Sequence, residues 1–299
     1  MSARSRFRLF KFPVKNQLHR FTRSKFGNFL FFAILISGGL FSVLPLVYCI
    51  TTSFKPLDEL LIFPPTLFTV KRPTIANYTA IPDLLSGLSV PITRYAFNSI
   101  FVSIIGTFLS VIISAMAAFV LSKTEMKFNK LIFTVVQFSL LFNAYTLSVP
   151  QYIVYSKIGI INTYLAYIVP AAASSMGVFL MKQYMDGYVP YALIEAAHID
   201  GAGWIGIFTR IVLPIVRPCV LTLVMFSFLG IWNSVPSGTI FSESLKTLPT
   251  VMSTIAAGGL ARSGSSMATS VILMIFPIAV YLISQGSIKE TMGSAGIKG

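Results

Sequence analysis

The residues best able to do chemistry form one short polar island, Glu195-Ala196-Ala197-His198-Ile199-Asp200-Gly201, with Ile211-Val212-Leu213-Pro214 ten residues further on. Pro190 suits the first turn of a helix, where its missing N–H would be unpaired anyway, and no helix breaker follows between Tyr191 and Ile199. Gly201 tolerates the left-handed backbone that ends a helix, and Gly203 loosens the next step before Trp204 to Val212 resumes helical character. The local prediction is helix, sharp turn, helix. Ala196 and Ala197 reduce one surface to methyl groups, so another backbone can come close, and Glu195 leaves a single carboxylate on the same turn. The available chemistry is docking through one charged peg. A helix lying flat on a membrane would want a polar face rich in Lys and Arg. Pro190 to Pro214 instead holds Glu195, Asp200 and Arg210, a balance of −1.

Other chemistry is sparse. His19 and His198, the two histidines, have no nucleophile, base and orienting acid grouped around them. Cys49 and Cys219 both sit in apolar segments, which excludes a disulfide framework or a Cys/His metal spacing. No Gly-x-x-x-x-Gly-Lys-Ser/Thr run is present to hold nucleotide phosphates, so the chain is not its own ATPase. Gln137, Asn143, Trp232 and Asn233 are polar or aromatic groups inside apolar runs. Amides pair with hydroxyls and aromatic rings cover apolar faces, so these four are candidates to line a path through the helices. The competing reading is hydrogen bonding between packed helices, about 0.6 kcal/mol each.

The elements that must position the island are membrane helices. Of 299 residues, 55% are hydrophobic and 11% charged, more apolar surface than a soluble domain buries. Six stretches approach the roughly 20 residues of a spanning helix: Phe29 to Ser53, Tyr95 to Ser122, Leu131 to Tyr155, Thr163 to Tyr184, Pro218 to Ser237 and Ala268 to Ser284. The predicted fold is all-α, a polytopic membrane protein with six transmembrane helices. A basic leader occupies 1–28 and the six-helix transmembrane domain 29–284, with an inner loop at 185–217 and outer loops at 54–94 and 241–267. The tail is 285–299. With the N-terminus cytoplasmic, 16 of the 23 Lys and Arg residues lie inside and 7 outside, which favours both termini in the cytoplasm and places Glu195 there too. The net charge of +14 is scattered around apolar spans rather than gathered on one face, which excludes a nucleic-acid reader. Asp, Glu, Lys, Arg and His are absent from well inside the spans, which argues against an ion-coupled carrier. The prolines of the first outer loop favour an extended, partly rigid cover rather than a helical domain, and the Gly- and Ser-bearing third loop reads by itself as a connector.

The pattern Glu-Ala-Ala, three residues, Gly, nine residues, Ile, one residue, Leu-Pro resembles the cytoplasmic loop of membrane subunits in binding-protein-dependent ABC importers. All seven specified positions are met, at Glu195, Ala196, Ala197, Gly201, Ile211, Leu213 and Pro214. Ser53-Phe54-Lys55-Pro56, Phe63-Pro64-Pro65, Pro73 and Asn77-Tyr78 are similar to the opening of maltose-type sugar permeases. Gly296-Ile297-Lys298-Gly299 is similar to the tail of the MalG-like members. Trp232-Asn233 also resembles a family feature, although Ser234-Val235-Pro236 replaces the acidic residue that often follows.

The resemblance implies a non-catalytic permease subunit in a bacterial cell membrane, paired with a MalF-like second permease. Two ATPase subunits would bind the ATP and Mg, leaving this chain without a cofactor, and an extracytoplasmic solute-binding protein would deliver a sugar or oligosaccharide. Glu195 would pair with a basic ATPase residue, Ala196 and Ala197 would give close approach, and Gly201 would permit the turn, with Asp200, Ile211, Leu213 and Pro214 completing the coupling loop. Gly296, Lys298 and Gly299 would contact the ATPases, and the loop 241–267 would reach into the binding protein. Glycerol-phosphate or polyamine import is the alternative within the family. A secondary carrier is the alternative outside it.

Overall fold

A computed structural model describes residues 25–63, 66–86, 90–142, 144–236, 238–259 and 262–295. All regular structure among them is helical. In chain order come α1 (Lys25–Ser53), α2 (Leu57–Leu60), α3 (Ala76–Leu85), α4 (Ile92–Lys123), α5 (Asn129–Ser139), α6 (Ala144–Lys157), α7 (Leu165–Ala172) and α8 (Ser175–Tyr188). The remainder are α9 (Tyr191–Ile199), α10 (Trp204–Gly206), a π-helical turn (Ile207–Val212), α11 (Leu213–Ile215), α12 (Arg217–Trp232), a 3-10 turn (Glu243–Leu245), α13 (Leu248–Ala256) and α14 (Ser263–Ala295). Helix α1 crosses the boundary between two compact units, one up to Val47 and one from Tyr48 onward. The packing described below lies within the second unit.

Four helical runs among the described residues are long and apolar enough to cross a bilayer: Phe26–Ser53, Ile92–Lys123, Leu165–Tyr188 and Ser263–Gln285. Trp204–Ile215 and Arg217–Trp232, bent by 82° at their junction, make a fifth when taken together. The expected third span, Leu131 to Tyr155, is divided into α5 and α6, of 11 and 14 residues. Neither reaches the roughly 20 residues that hydrocarbon thickness demands. At the break the N–H groups of Leu140, Leu141 and Phe142 bond the carbonyls three residues back, a turn tighter than the α-helix.

Helix α4 is the post on which α7, α8 and α12 pack. Its sequence explains why. Ser99, Ser103, Gly106, Ser110 and Ser114 recur at three- and four-residue spacing, a stripe of small side chains that is buried and lets neighbouring backbones approach. A Cβ on Gly106 would stand 2.9 Å from Ile231 Cδ1, and one on Gly177 of α8 would stand 3.0 Å from Ser114 Cβ. Gly177→Leu is therefore expected to wedge α8 off α4, costing about 1–3 kcal/mol. The check is a lower Tm for the detergent-purified protein. An unchanged Tm would show that this contact does not hold the bundle.

The expected cover and connector carry more helix than their prolines and glycines suggested. The first outer loop contains α2 and α3, because Ile81 and Leu85 of α3 bury against Leu248, Met252 and Ile255 of α13. Pro64 and Pro65 of this loop lie outside the described residues. Buried Lys55 donates to the Thr66 carbonyl and, at 3.1 Å, to Thr66 Oγ1. Buried Glu59 accepts from the Lys71 N–H at 3.0 Å. The third loop is pinned at its start: Asn98 Nδ2 donates to the Ser244 and Lys246 carbonyls at 2.8 and 2.9 Å, and Tyr164 donates to Asn98 Oδ1 at 2.7 Å. Tertiary burial, not local propensity, supplies these helices.

Candidate coupling site

The polar island folds as a short helix closed by a glycine turn. Pro190 sits before α9 with φ −65° and ψ 144°, and α9 runs to Ile199 with Asp200 as its cap. Gly201 has φ +81°. Its N–H donates to the His198 carbonyl at 3.0 Å, while the Ala202 N–H donates to the Ala197 carbonyl at 2.9 Å. This pair of crossed bonds satisfies the last carbonyls of the helix and requires the left-handed residue between them. The chain then re-enters helix through Gly203, passes the π-helical turn and bends by 82° into α12.

Three anchors tie this elbow to α4. Tyr191 donates to the Ser122 carbonyl at 2.7 Å. Lys123 Nζ donates to the Val189 carbonyl at 2.7 Å and stands 4.9 Å from the Tyr191 ring centre. Trp204 meets Phe119 edge to face at 6.0 Å, and His198 packs edge to face on Trp204 at 4.4 Å. His198 is thus a packing residue of the elbow. Ile194 and Ala197 enter a core with Met181, Met185, Ile207, Val212 and Val216.

The two alanines expected to act together are separated. Ala197 is 6% exposed and its methyl faces the chain's own core, whereas Ala196, Glu195, Asp200 and Gly201 remain outside. The helical step of about 100° per residue makes this unavoidable once Ile194 is buried, because residues three apart share a face. Ile211 and Leu213 are half-buried against the same core, and Pro214 is exposed. Glu195 forms no ion pair among the described residues. Beside it stand two residues the motif does not name, Ile199 at 87% and Ile205 at 80% exposure. Bare isoleucines flanking a polar turn were the available signal for them.

Three of the four candidate path residues, Trp232, Asn233 and Gln137, fall among the described residues. Trp232 is 2% exposed, stacked on Phe228 at 5.7 Å and tilted against Phe276 at 4.9 Å, which makes it a packing residue between α12 and α14. Asn233 is exposed, and its amide returns to the Leu229 carbonyl at 3.0 Å. Gln137 is exposed on α5, and Asn143 lies outside the described residues. A cleft of about 370 Å³ opens instead among Ser110, Tyr167, Ser174, Ser227 and Ser234, where Ser110 and Ser227 hydroxyls are 3.1 Å apart. Gly296, Lys298 and Gly299 of the tail lie outside the described residues.

No family model matches the chain. Over 288 residues it is 28% identical to the sulfoquinovosyl glycerol transport system permease protein SmoH of Agrobacterium fabrum, covering 94% of this chain and 97% of that one. Over 225 residues it is 32% identical to protein LplC of Bacillus subtilis, covering 73% and 72%. The chain belongs to the MalG-like family of ABC importer permease subunits. The fold agrees. A crystal structure of a bacterial ABC transporter involved in the import of the acidic polysaccharide alginate superimposes on the permease with a TM-score of 0.71 at 17% identity, covering 89% of this chain and 99% of that one. The permease is a membrane-embedded component of its transporter.

Proposed function

We propose that the permease forms half of the translocation path of an ATP-driven importer of a sugar or oligosaccharide, with six spans and both termini in the cytoplasm. The single observation that carries the reading is the elbow: an exposed carboxylate, Glu195, on a helix whose end is locked by Gly201 and whose other face is built into the bundle core. A rigid, protruding joint of this kind transmits displacement, because a push on α9 must move α4, α8 and α12 with it. The distribution of Lys and Arg supports a cytoplasmic position for the joint. Family membership and the names of its relatives support sugar cargo.

In this mechanism two ATPase subunits close on ATP and Mg, which they alone hold, and each closure rotates a permease through its elbow. A MalF-like second permease completes the path, and an extracytoplasmic solute-binding protein presents the cargo. The residues 285–299 contact the ATPases through Gly296, Lys298 and Gly299. Both the nucleotide sites and the cargo site bias one two-state element, the packed bundle, and the coupling is therefore reciprocal.

Reconstitution tests this directly. Vesicles holding the permease, its partner permease, both ATPase copies and the binding protein are expected to accumulate sugar when ATP is supplied. Omitting the ATPases should abolish accumulation. Uptake by the permease alone, driven by an ion gradient, would overturn the proposal in favour of a secondary carrier.

A further inference from the structure

At the end of α4 nearest the elbow, lysines far apart in sequence line one cleft. Lys123 closes α4, Lys127 follows in the turn, Lys130 lies in the first turn of α5, and Lys182 reaches in from α8. Asp186 is the single carboxylate among the lining residues, so four ammonium groups face one acid. Lys182 Nζ bonds Asp186 Oδ2 at 2.6 Å, and Ser122 donates to Asp186 Oδ1 at 2.5 Å, which fully engages that acid. Lys123 is 4% exposed and donates to the Val189 carbonyl. Lys127 and Lys130 are exposed and make no ion pair among the described residues. Glu125, exposed in the same turn between Lys123 and Lys127, adds a second acid to the four lysines, which leaves the cleft, about 690 Å³, net positive.

Its setting selects the anion. The cleft lies at the C-terminal end of Ile92–Lys123, a helix long and apolar enough to cross a bilayer. Phe133 forms one wall, with Lys182 Nζ 4.4 Å from its ring centre. Met126, Phe128 and Leu131 beside it are 48%, 63% and 62% exposed. Ammonium groups next to exposed apolar side chains at a helix end match a phosphate held at the interface with acyl chains lying along the bundle. We propose that this cleft binds the phosphate of an anionic phospholipid from the cytoplasmic leaflet, and that the bound lipid braces the elbow through Lys123 and Tyr191. The leaflet, though not the phosphate site, rests on the orientation argued above. The bridge to the elbow is structural: Tyr191 lines the cleft and begins α9.

The experiment uses the assembled transporter in mild detergent, titrated with phosphatidylglycerol, with phosphatidylcholine and with inorganic phosphate, and bound lipid counted by native mass spectrometry. Phosphatidylglycerol should bind, and Lys127→Gln/Lys130→Gln should weaken it about fivefold for each lysine lost. Lys71→Gln/Lys157→Gln, which removes two exposed lysines elsewhere, should leave binding unchanged. Equal retention by the cleft variant and the wild type would overturn the site, as would equal loss in the control variant. Displacement of phosphatidylglycerol by millimolar inorganic phosphate would overturn the lipid in favour of a soluble anion. Labelling of Lys127 by a membrane-impermeant amine reagent reports orientation separately. ATP-driven sugar uptake in phosphatidylcholine vesicles reports the importer reading separately.

Discussion

Glu195→Lys is expected to leave membrane insertion and folding intact and to lower ATP-driven uptake about a hundredfold. The side chain is exposed and contributes no ion pair within the described residues, so the substitution disturbs nothing in the bundle. Its effect falls on a partner. If Glu195 meets a basic group in the ATPase, Lys converts an attractive contact into a like-charge contact, which costs several kcal/mol at a desolvated interface. About 3 kcal/mol corresponds to roughly a hundredfold in the docked population. Glu195→Gln should fall between, since it removes attraction without adding repulsion. The measurement is uptake and cargo-stimulated ATPase activity of the reconstituted complex. Full activity in both variants would remove Glu195 from the coupling contact.

Gly201→Val carries the second large effect, and here the cause is backbone conformation alone. A Cβ at this position meets no atom within 4 Å, so no clash complicates the result. The φ of +81° is the whole obstacle. A β-branched residue in the left-handed region pays about 2 kcal/mol, which reduces the closed turn about thirtyfold and lets the end of α9 unwind. Co-purification of the ATPase should drop accordingly. Gly201→Asn should retain most of it, because Asn visits this region far more readily. Equal co-purification for Val and Asn variants would show that the glycine turn does not shape the docking surface.

The elbow was legible because its determinants act locally. Gly201 ends α9 where its left-handed preference puts it, while Pro190, expected in the first turn, stands one residue before it with an extended ψ of 144°. The division of labour between Ala196 and Ala197 was not legible. Two adjacent methyl groups look alike until the rotation of α9 against α4 and α8 decides which one is covered. The same limit hid the role of Trp232, whose residue type suits a sugar ring and a helix seam equally well. Phe276, more than forty positions away, makes it a seam residue. The broken third stretch was hidden for another reason: the break at 140–142 contains no glycine or proline, so nothing local announces it.

Membrane embedding, the expected sidedness of the loops and the place of the coupling turn follow from residue types summed or read one at a time, because partition into lipid and the backbone preferences of Gly and Pro need no distant partner. Which serines of α4 meet which helix, how the outer loops acquire α3 and α13, and why Lys123, Lys127, Lys130 and Lys182 share one cleft depend on contacts between segments tens of residues apart. Those contacts are set by the relative rotation and approach of whole helices, which only close packing of the bundle specifies.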